Sequence, residues 1–285
     1  MEINVGKNAG FCAGVEFTVN KAKEILSQGE VYCLGELVHN KQVVECLENS
    51  GMKTINNIEE VPDNSKVIFR AHGEPEKVYK RAKEKKLEIF DLTCAHVKVI
   101  HNKVQKEKED SFIIIVGIKN HPETIGTLGF AGENSYVIEN EDDILDAYME
   151  YEKTNLGKVF VVSQTTFSSI KFDKLADEIS NNFCEADVKI DKTICNSTEN
   201  RQLEAKKMSL ENDVMFVVGG QNSSNTRKIY EISKQNCDKV YYIQTVSDVE
   251  NIELDNNYKI GIMAGASTPK DIIVELKEYL ERKYK

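Results

Sequence analysis

Three cysteines stand at similar places in the chain, each between a strand-like and a helix-like segment. They are Cys12 in "KNAGFCAGVEF", Cys94 in "IFDLTCAHV" and Cys195 in "DKTICNSTEN". The N–H groups and the dipole of a helix N-terminus favour the thiolate form of a cysteine. Three thiolates that converge make a soft metal site. The residues therefore predict either a zinc ion with a fourth ligand or an iron–sulfur cluster with one iron that lacks a protein ligand.

The spacing of these cysteines leaves both metal centres open. The intervals of 82 and 101 residues match no short zinc or ferredoxin motif. A single cysteine is often just a small buried hydrophobic residue, but three at equivalent positions favour metal ligands. The other four lie in a predicted strand, in a helix or near helix ends, and are interpreted as structural or surface thiols: Cys33, Cys46, Cys184 and Cys237.

Polar turns follow the predicted strands and carry a second set of candidate residues. This set consists of His39, His72, His121, Ser223, Ser224, Asn225 and Ser267. Such donors at helix N-termini form a phosphate-binding site without Lys or Arg. For any one histidine taken alone, a core or capping role is the favoured interpretation. The remaining histidines, His96 and His101, lie on the helix after Cys94 and are predicted to be peripheral.

The turns carry further polar residues, one of which could supply a proton. Glu123 lies two positions after His121, and the turn "SQTT" carries Thr165 and Thr166. A carboxyl group beside a reduced metal centre is a natural proton source. Helix capping is the alternative, because Glu and Thr are common in first turns.

The elements that must position these residues recur three times. His39, His121 and Asn222 each lie 27 positions after a candidate cysteine, and strands alternate with helices throughout. This alternation predicts parallel sheets whose ligands bind beyond the carboxyl ends of the strands. We expect an α/β fold of three similar small units, 1–94, 95–193 and 194–285, in a pseudo-threefold trefoil around a shared metal centre. The third unit includes a C-terminal helix, and the N-terminal segment either supplies its last strand or caps the axis.

Composition limits the classes of partner. Of 285 residues, 40% are apolar and 29% are charged, and 37 basic against 47 acidic residues give a net charge of −10. Attraction to nucleic acid or to an anionic membrane is therefore not expected. The sequence has no run of 18 apolar residues and its start has no signal-peptide pattern, which predicts a cytoplasmic protein. The odd count of seven cysteines favours reduced thiols over a disulfide framework.

Taken together, the motifs closely resemble those of the LytB-type 4-hydroxy-3-methylbut-2-enyl diphosphate reductases. The matching segments run nearly end to end and in the same order: "GFCAGV", "VHN", "RAHG", "LTC", "NHPE", "SQTT", "TIC…T..RQ", "GGQNSSNT" and "ASTP". The family enzymes end the non-mevalonate isoprenoid pathway.

The resemblance implies a [4Fe–4S] cluster held by Cys12, Cys94 and Cys195, with one iron open to the substrate's hydroxyl oxygen. It implies reductive dehydroxylation of 4-hydroxy-3-methylbut-2-enyl diphosphate to isopentenyl and dimethylallyl diphosphate, with electrons from a ferredoxin or flavodoxin. The implied diphosphate-binding residues are His39, His72, His121, Ser223, Ser224, Asn225 and Ser267. Thr165 would contact the substrate hydroxyl, and Glu123 and His121 would complete the catalytic residues, Glu123 by delivering protons.

One position departs from the family pattern, because Ala95 stands where proline usually follows the second cluster cysteine. Alanine at a first helical position costs little, so ligation by Cys94 is still expected. Two other classes of protein remain as alternatives. One is a three-cysteine cluster enzyme of the quinolinate synthase kind, acting on keto substrates with one phosphate or none. The other is a zinc-stabilised scaffold or a redox-sensing binding protein.

Overall fold

The computed structural model describes residues 2–284. Within this range the strands are β1 (Glu2–Val5), β2 (Val31–Leu34), β3 (Met52–Ile55), β4 (Lys66–Phe69), β5 (Glu88–Asp91), β6 (Phe112–Val116), β7 (Ser135–Ile138), β8 (Lys158–Ser163), β9 (Asp187–Ile190), β10 (Val214–Val218), β11 (Lys239–Ile243) and β12 (Lys259–Ala264).

The helices of the same range are α1 (Ala13–Leu26), α2 (Lys41–Asn49), α3 (Glu76–Glu84), α4 (Ala95–Glu107), α5 (Pro122–Ala131), α6 (Asp143–Glu152), α7 (Ser169–Asn182), α8 (Asn196–Glu211), α9 (Ser224–Lys234) and α10 (Lys270–Lys283). Two short 3₁₀ helices span Ile58–Glu60 and Val246–Val249.

The described strands form three four-stranded parallel sheets with the same internal order. The first sheet runs β3-β2-β4-β5, the second β7-β6-β8-β9 and the third β11-β10-β12-β1. Every pairing between these described strands is parallel. Parallel neighbours need a crossover connection, which the intervening helices provide. The prediction of three similar parallel-sheet α/β units is therefore confirmed.

The third sheet is completed by the first strand of the chain. β1 pairs with β12 in parallel, with Glu2 opposite Lys259 and Val5 opposite Ile262. β1 thus holds the position that β5 and β9 hold in the other sheets. Of the two roles expected for the N-terminal segment, the structure has the one in which it supplies the missing strand.

The central strands are buried on both faces, as their β-branched sequences predict. Every residue of "FIIIV" in β6 and of "VMFVV" in β10 is buried. Covering both faces of a parallel sheet with helices requires such continuous apolar runs. Separate apolar cores lie against the sheets, one including Phe112 and Leu175 and another including Phe216 and Leu276.

The chain divides into two compact units. One comprises Met1–Phe17, Val38–Cys46 and Asn196–Lys285, and contains the third sheet. The other comprises Thr18–Leu37 and Leu47–Cys195, and contains the first and second sheets. We call them the third-sheet unit and the two-sheet unit; the finer boundaries at residues 94 and 193 stay a prediction. No helix within residues 2–284 has both the length and the apolar character needed to cross a membrane.

Candidate functional site

The three candidate cysteines have the same local structure. Each stands directly before a helix, at the starts of α1, α4 and α8, and each is half-buried. Each cysteine N–H donates to a turn carbonyl, Cys12 to Ala266 at 3.1 Å, Cys94 to Ala71 at 3.0 Å and Cys195 to Thr165 at 3.0 Å. In all three cases the accepting residue lies two positions after the end of the third strand of a sheet, namely β12, β4 or β8. The sequence repeat therefore extends to the hydrogen bonds that hold each cysteine.

The chemistry of these thiols fits a metal cluster better than that of the other cysteines. Cys33 is fully buried, and burial raises the pKa of its thiol to about 12. Burial also raises the pKa of the Cys237 thiol. Cys46 and Cys184 are exposed. Among the cysteines of residues 2–284, Cys12, Cys94 and Cys195 alone combine partial burial with a helix N-terminus, which is the environment of reactive and metal-binding cysteines. The interpretation of the other four as structural or surface thiols agrees with these positions.

The third-sheet unit places two buried polar side chains at the N-terminus of α9. Ser224 and Asn225 are 6% and 3% exposed. Within residues 2–284, Ser224 Oγ and both polar atoms of the Asn225 amide have no hydrogen-bond partner. Leaving such groups buried without partners is costly, and a helix N-terminus favours anions. The arrangement is suited to an anionic ligand without a Lys or Arg contact.

Two other predicted anion-binding residues of this unit are engaged in protein hydrogen bonds. Ser223 caps α9, because its Oγ accepts from the N–H of Thr226 at 3.2 Å and from its hydroxyl at 2.9 Å. Ser267 Oγ donates to the carbonyl of His39 at 3.0 Å. Gly220 also lies against His39, since a Cβ there would be 2.4 Å from the same carbonyl oxygen. These contacts fix the backbone of His39 beside the start of α9.

The two-sheet unit brings His72 and His121 together. Their ring centroids are 5.5 Å apart and the rings are nearly perpendicular. His121 caps α5, because its Nδ1 accepts from the N–H of Glu123 at 3.2 Å. A neutral imidazole whose Nδ1 accepts carries its proton on Nε2, so His121 presents a hydrogen-bond donor at that atom.

Glu123 and Thr165 form a buried pair in the same unit. The Glu123 carboxylate accepts from the Thr165 N–H at 2.6 Å and from its hydroxyl at 2.7 Å. Burial raises the pKa of Glu123 to about 7, although both hydrogen bonds act in the opposite direction. Glu123 does not cap α5 as the alternative interpretation proposed, because the capping residue of this helix is His121. A carboxyl group with this pKa can hold and release a proton near neutral pH.

His101 differs from its expected peripheral position. It is only 4% exposed and its ring stacks on Phe130 at 4.4 Å, whereas His96 is exposed as expected. Burial lowers the pKa of His101 to about 4. A Cβ on Gly73 would lie 2.6 Å from His101 Cε1, so this ring packs against the turn that carries His72.

The sequence analysis assigned no role to one buried charged residue. Arg201 is 4% exposed and lies on α8. It shares a helix face with the buried residues Ala205 and Met208, four and seven positions later. The sequence did offer a signal for this residue. Arg201 stands in line with buried apolar positions of α8, in the segment "T..RQ" already noted for the resemblance.

The chain matches the model of a known protein family. The family model described as "LytB protein" matches residues 3–281. The chain belongs to the LytB protein family, which confirms the resemblance inferred from its motifs.

Named relatives match the chain over nearly its whole length. The 4-hydroxy-3-methylbut-2-enyl diphosphate reductase of Aquifex aeolicus is 39% identical, over 99% of this chain and 96% of the relative. That of Clostridioides difficile is 36% identical, over 99% of each chain.

Two solved structures have the same fold. The reductase of Plasmodium falciparum has a TM-score of 0.86 at 32% identity, covering 98% of this chain and 87% of the other. A second structure, described as (E)-4-hydroxy-3-methyl-but-2-enyl diphosphate reductase, the terminal enzyme of the non-mevalonate pathway, has a TM-score of 0.71 at 37% identity. It covers 99% of this chain and 100% of the other.

Proposed function

We propose that this chain is a 4-hydroxy-3-methylbut-2-enyl diphosphate reductase that forms isopentenyl and dimethylallyl diphosphate, the last step of the non-mevalonate pathway. Membership of the LytB family and relatives of that activity along the whole chain support it. The observation that carries it is the pair of buried side chains of Ser224 and Asn225 at the start of α9, whose polar atoms have no hydrogen-bond partner among residues 2–284. An acidic protein with such a site is suited to bind a diphosphate through neutral donors.

We assign Cys12, Cys94 and Cys195 as the ligands of a [4Fe–4S] cluster with one iron that has no protein ligand. Their common position before helices, with each N–H bonded to a turn carbonyl, supports this assignment. When bound, such a cluster supplies electrons singly and a Lewis-acidic iron for an alcohol oxygen.

The remaining site residues bind and orient the diphosphate. Ser224 and Asn225 offer hydroxyl and amide donors, and His121 offers its Nε2 proton. We assign His39, His72, Ser223 and Ser267 to the same task; Ser223 and Ser267 also hold the backbone around it. Binding energy from this remote group can then orient the carbon that reacts.

Proton supply is assigned to the Glu123–Thr165 pair. The overall reaction consumes two electrons and two protons: the C–O bond breaks, the hydroxyl leaves as water, and one proton adds to the carbon skeleton. Glu123 can hold a proton near pH 7, and the Thr165 hydroxyl bonded to it is assigned to contact the leaving hydroxyl. Each proton taken from this carboxyl is replaced from solvent after turnover.

Further partners follow from the chemistry. The electrons require a donor, and we propose a ferredoxin or a flavodoxin. The net charge of −10 gives no basis for binding nucleic acid or an anionic membrane. A cytoplasmic location stays a prediction.

The deciding experiment supplies anaerobically purified protein with 4-hydroxy-3-methylbut-2-enyl diphosphate, dithionite and a viologen. The proposal expects viologen oxidation together with both five-carbon diphosphate products. A brown protein absorbing at about 400 nm is expected, whereas a zinc scaffold is colourless. Turnover of a keto acid without turnover of the diphosphate, or a colourless protein that binds zinc, would overturn the proposal.

A further inference from the structure

Helix α8 presents two oppositely charged side chains to the segment that leads to Cys12. Arg201 and Glu204 are three positions apart, so they lie on the same side of the helix. The segment, residues 6–12, is here called the Cys12 loop. All of these residues belong to the third-sheet unit.

Glu204 holds the beginning of the Cys12 loop. Its carboxylate accepts from the N–H of Lys7 at 2.6 Å, from the N–H of Asn8 at 2.9 Å and from the Asn8 side-chain amide at 2.9 Å. A carboxylate that binds adjacent backbone N–H groups fixes the direction of the backbone as well as its position.

Arg201 holds the end of the loop that is nearer Cys12. Its guanidinium donates to the carbonyl of Gly10 at 2.7 Å. It also donates to the carbonyl of Ser197 at 2.8 Å and to the Ser197 hydroxyl. Ser197 lies two residues after Cys195, so one planar group joins the first turn of α8 to the loop before Cys12.

The loop has a conformation that needs such support. Gly10 has a φ of +98°, in the left-handed region that side chains rarely adopt, and a Cβ there would be 3.1 Å from Ile273 Cδ1. Beyond it, the N–H of Cys12 donates to Ala266. The loop between β1 and α1 has no regular secondary structure. The side-chain bonds of Arg201 and Glu204 therefore hold it together with three backbone bonds, in which the N–H groups of Gly6, Ala9 and Cys12 donate to Ile262, Gly6 and Ala266.

We propose that Arg201 and Glu204 are positioning residues that clamp the Cys12 loop and hold the Cys12 thiol in place for the cluster. The carboxylate binds two N–H groups at one end, and the guanidinium binds a carbonyl at the other. The part of this inference that concerns the cluster rests on the proposed function, whereas the clamp itself concerns the protein without metal.

The first test measures amide hydrogen exchange of residues 6–12 in the metal-free full-length protein. Arg201→Gln and Glu204→Gln are each expected to speed exchange in this segment about tenfold, because each removes charge-assisted hydrogen bonds. The matched controls are Lys206→Gln and Glu211→Gln, which remove one charge of each sign from exposed positions of α8. The controls are expected to exchange like the wild type.

The second test follows the cluster after anaerobic reconstitution. The clamp variants are expected to lose visible absorbance in the presence of a chelator several-fold faster than the wild type and the controls. Arg201→Lys, which keeps the charge but not the planar fork, is expected to fall between the wild type and Arg201→Gln. Circular dichroism and thermal unfolding establish that each variant is folded. Since Glu204 is only half-buried, Glu204→Gln carries both tests if removal of the buried arginine prevents folding.

The outcomes separate the two proposals. Unchanged exchange in folded clamp variants would overturn the clamp. Faster exchange with a cluster as durable as that of the wild type would show that the clamp does not serve Cys12. A wild-type protein that takes up no iron–sulfur cluster would overturn the proposed function and the ligand role, while the exchange data would still decide whether Arg201 and Glu204 hold the loop.

Discussion

At the scale of single residues, burial and hydrogen bonding oppose each other at Glu123. Burial favours the neutral acid, while the two bonds from Thr165 favour the carboxylate. The resulting pKa of about 7 lets one side chain take up and release protons under physiological conditions. A surface glutamate lacks this property.

Replacing Glu123 by glutamine is expected to keep the cluster and lower kcat by about 100-fold or more, since general acid catalysis contributes at least that much. The carboxamide keeps the shape of the side chain but donates no proton to the substrate. The measurement is viologen-coupled turnover alongside the visible spectrum, with the exposed Glu133→Gln as control. Turnover near the wild-type rate would remove Glu123 from the proton path.

The pKa of Glu123 also predicts a dependence of stability on pH. Its ordinary value is 4.5 and its folded value is about 7, so between these pH values the folded protein binds the extra proton. The free energy of unfolding should therefore fall as the pH rises through this window, by up to about 1.4 kcal/mol per pH unit. Urea unfolding of the metal-free protein at several pH values measures this slope. Glu123→Gln should have a flatter profile, and identical slopes would contradict the assigned pKa.

At the scale of elements, the start of α9 is fixed by its fit against the turn after β12. Gly265 lies in this turn, and a Cβ there would be 1.9 Å from Thr226 Oγ1. Thr226 is fully buried and bonds to the capping residue Ser223. A side chain on Gly265 would therefore displace the Thr226 hydroxyl and disturb its hydrogen bond to the capping residue of α9.

Gly265→Ala is accordingly expected to raise KM for the diphosphate substrate about tenfold, because overpacking by one methyl group costs about 1–3 kcal/mol. The effect on kcat should be smaller, since Glu123 and Thr165 belong to the other compact unit. Gly157→Ala is the matched control, because no atom of the described residues, its two chain neighbours apart, lies within 4 Å of its Cβ position. An unchanged KM in Gly265→Ala would contradict a binding role for the start of α9.

The strands and turns were largely predictable because the sequence patterns that indicate them involve residues close together in the chain. Apolar runs such as "FIIIV" identify buried strands, and the 27-residue spacing identifies equivalent turns. The pairing of β1 with β12 was one of two possibilities, because sequence alone does not decide between closing a sheet and capping an axis. Side-chain partners were less predictable. The two serines of "NSSN" are adjacent and identical, yet Ser223 caps α9 while Ser224 Oγ has no hydrogen-bond partner in the described part of the chain.

At the scale of the whole molecule, one structural pattern is used three times with different side chains. The same sheet order and the same cysteine-to-turn hydrogen bond recur, while the turns carry imidazole, carboxyl, hydroxyl or amide groups. The contacts that join distant segments were the hardest to predict. His101 against Gly73 and Arg201 against Gly10 depend on tertiary packing and have no local signal beyond a polar residue on an apolar helix face.

The central claim is that Cys12, Cys94 and Cys195 together hold one iron–sulfur cluster. The most direct measurement is iron and sulfide per chain after anaerobic reconstitution of the wild type and of single Cys→Ser variants at all three positions, with Cys46→Ser and Cys184→Ser as exposed controls. About four of each is predicted for the wild type and both controls, with loss of the cluster in each ligand variant while the fold survives. A full cluster in any one of the three ligand variants, or none in the wild type, would contradict the account.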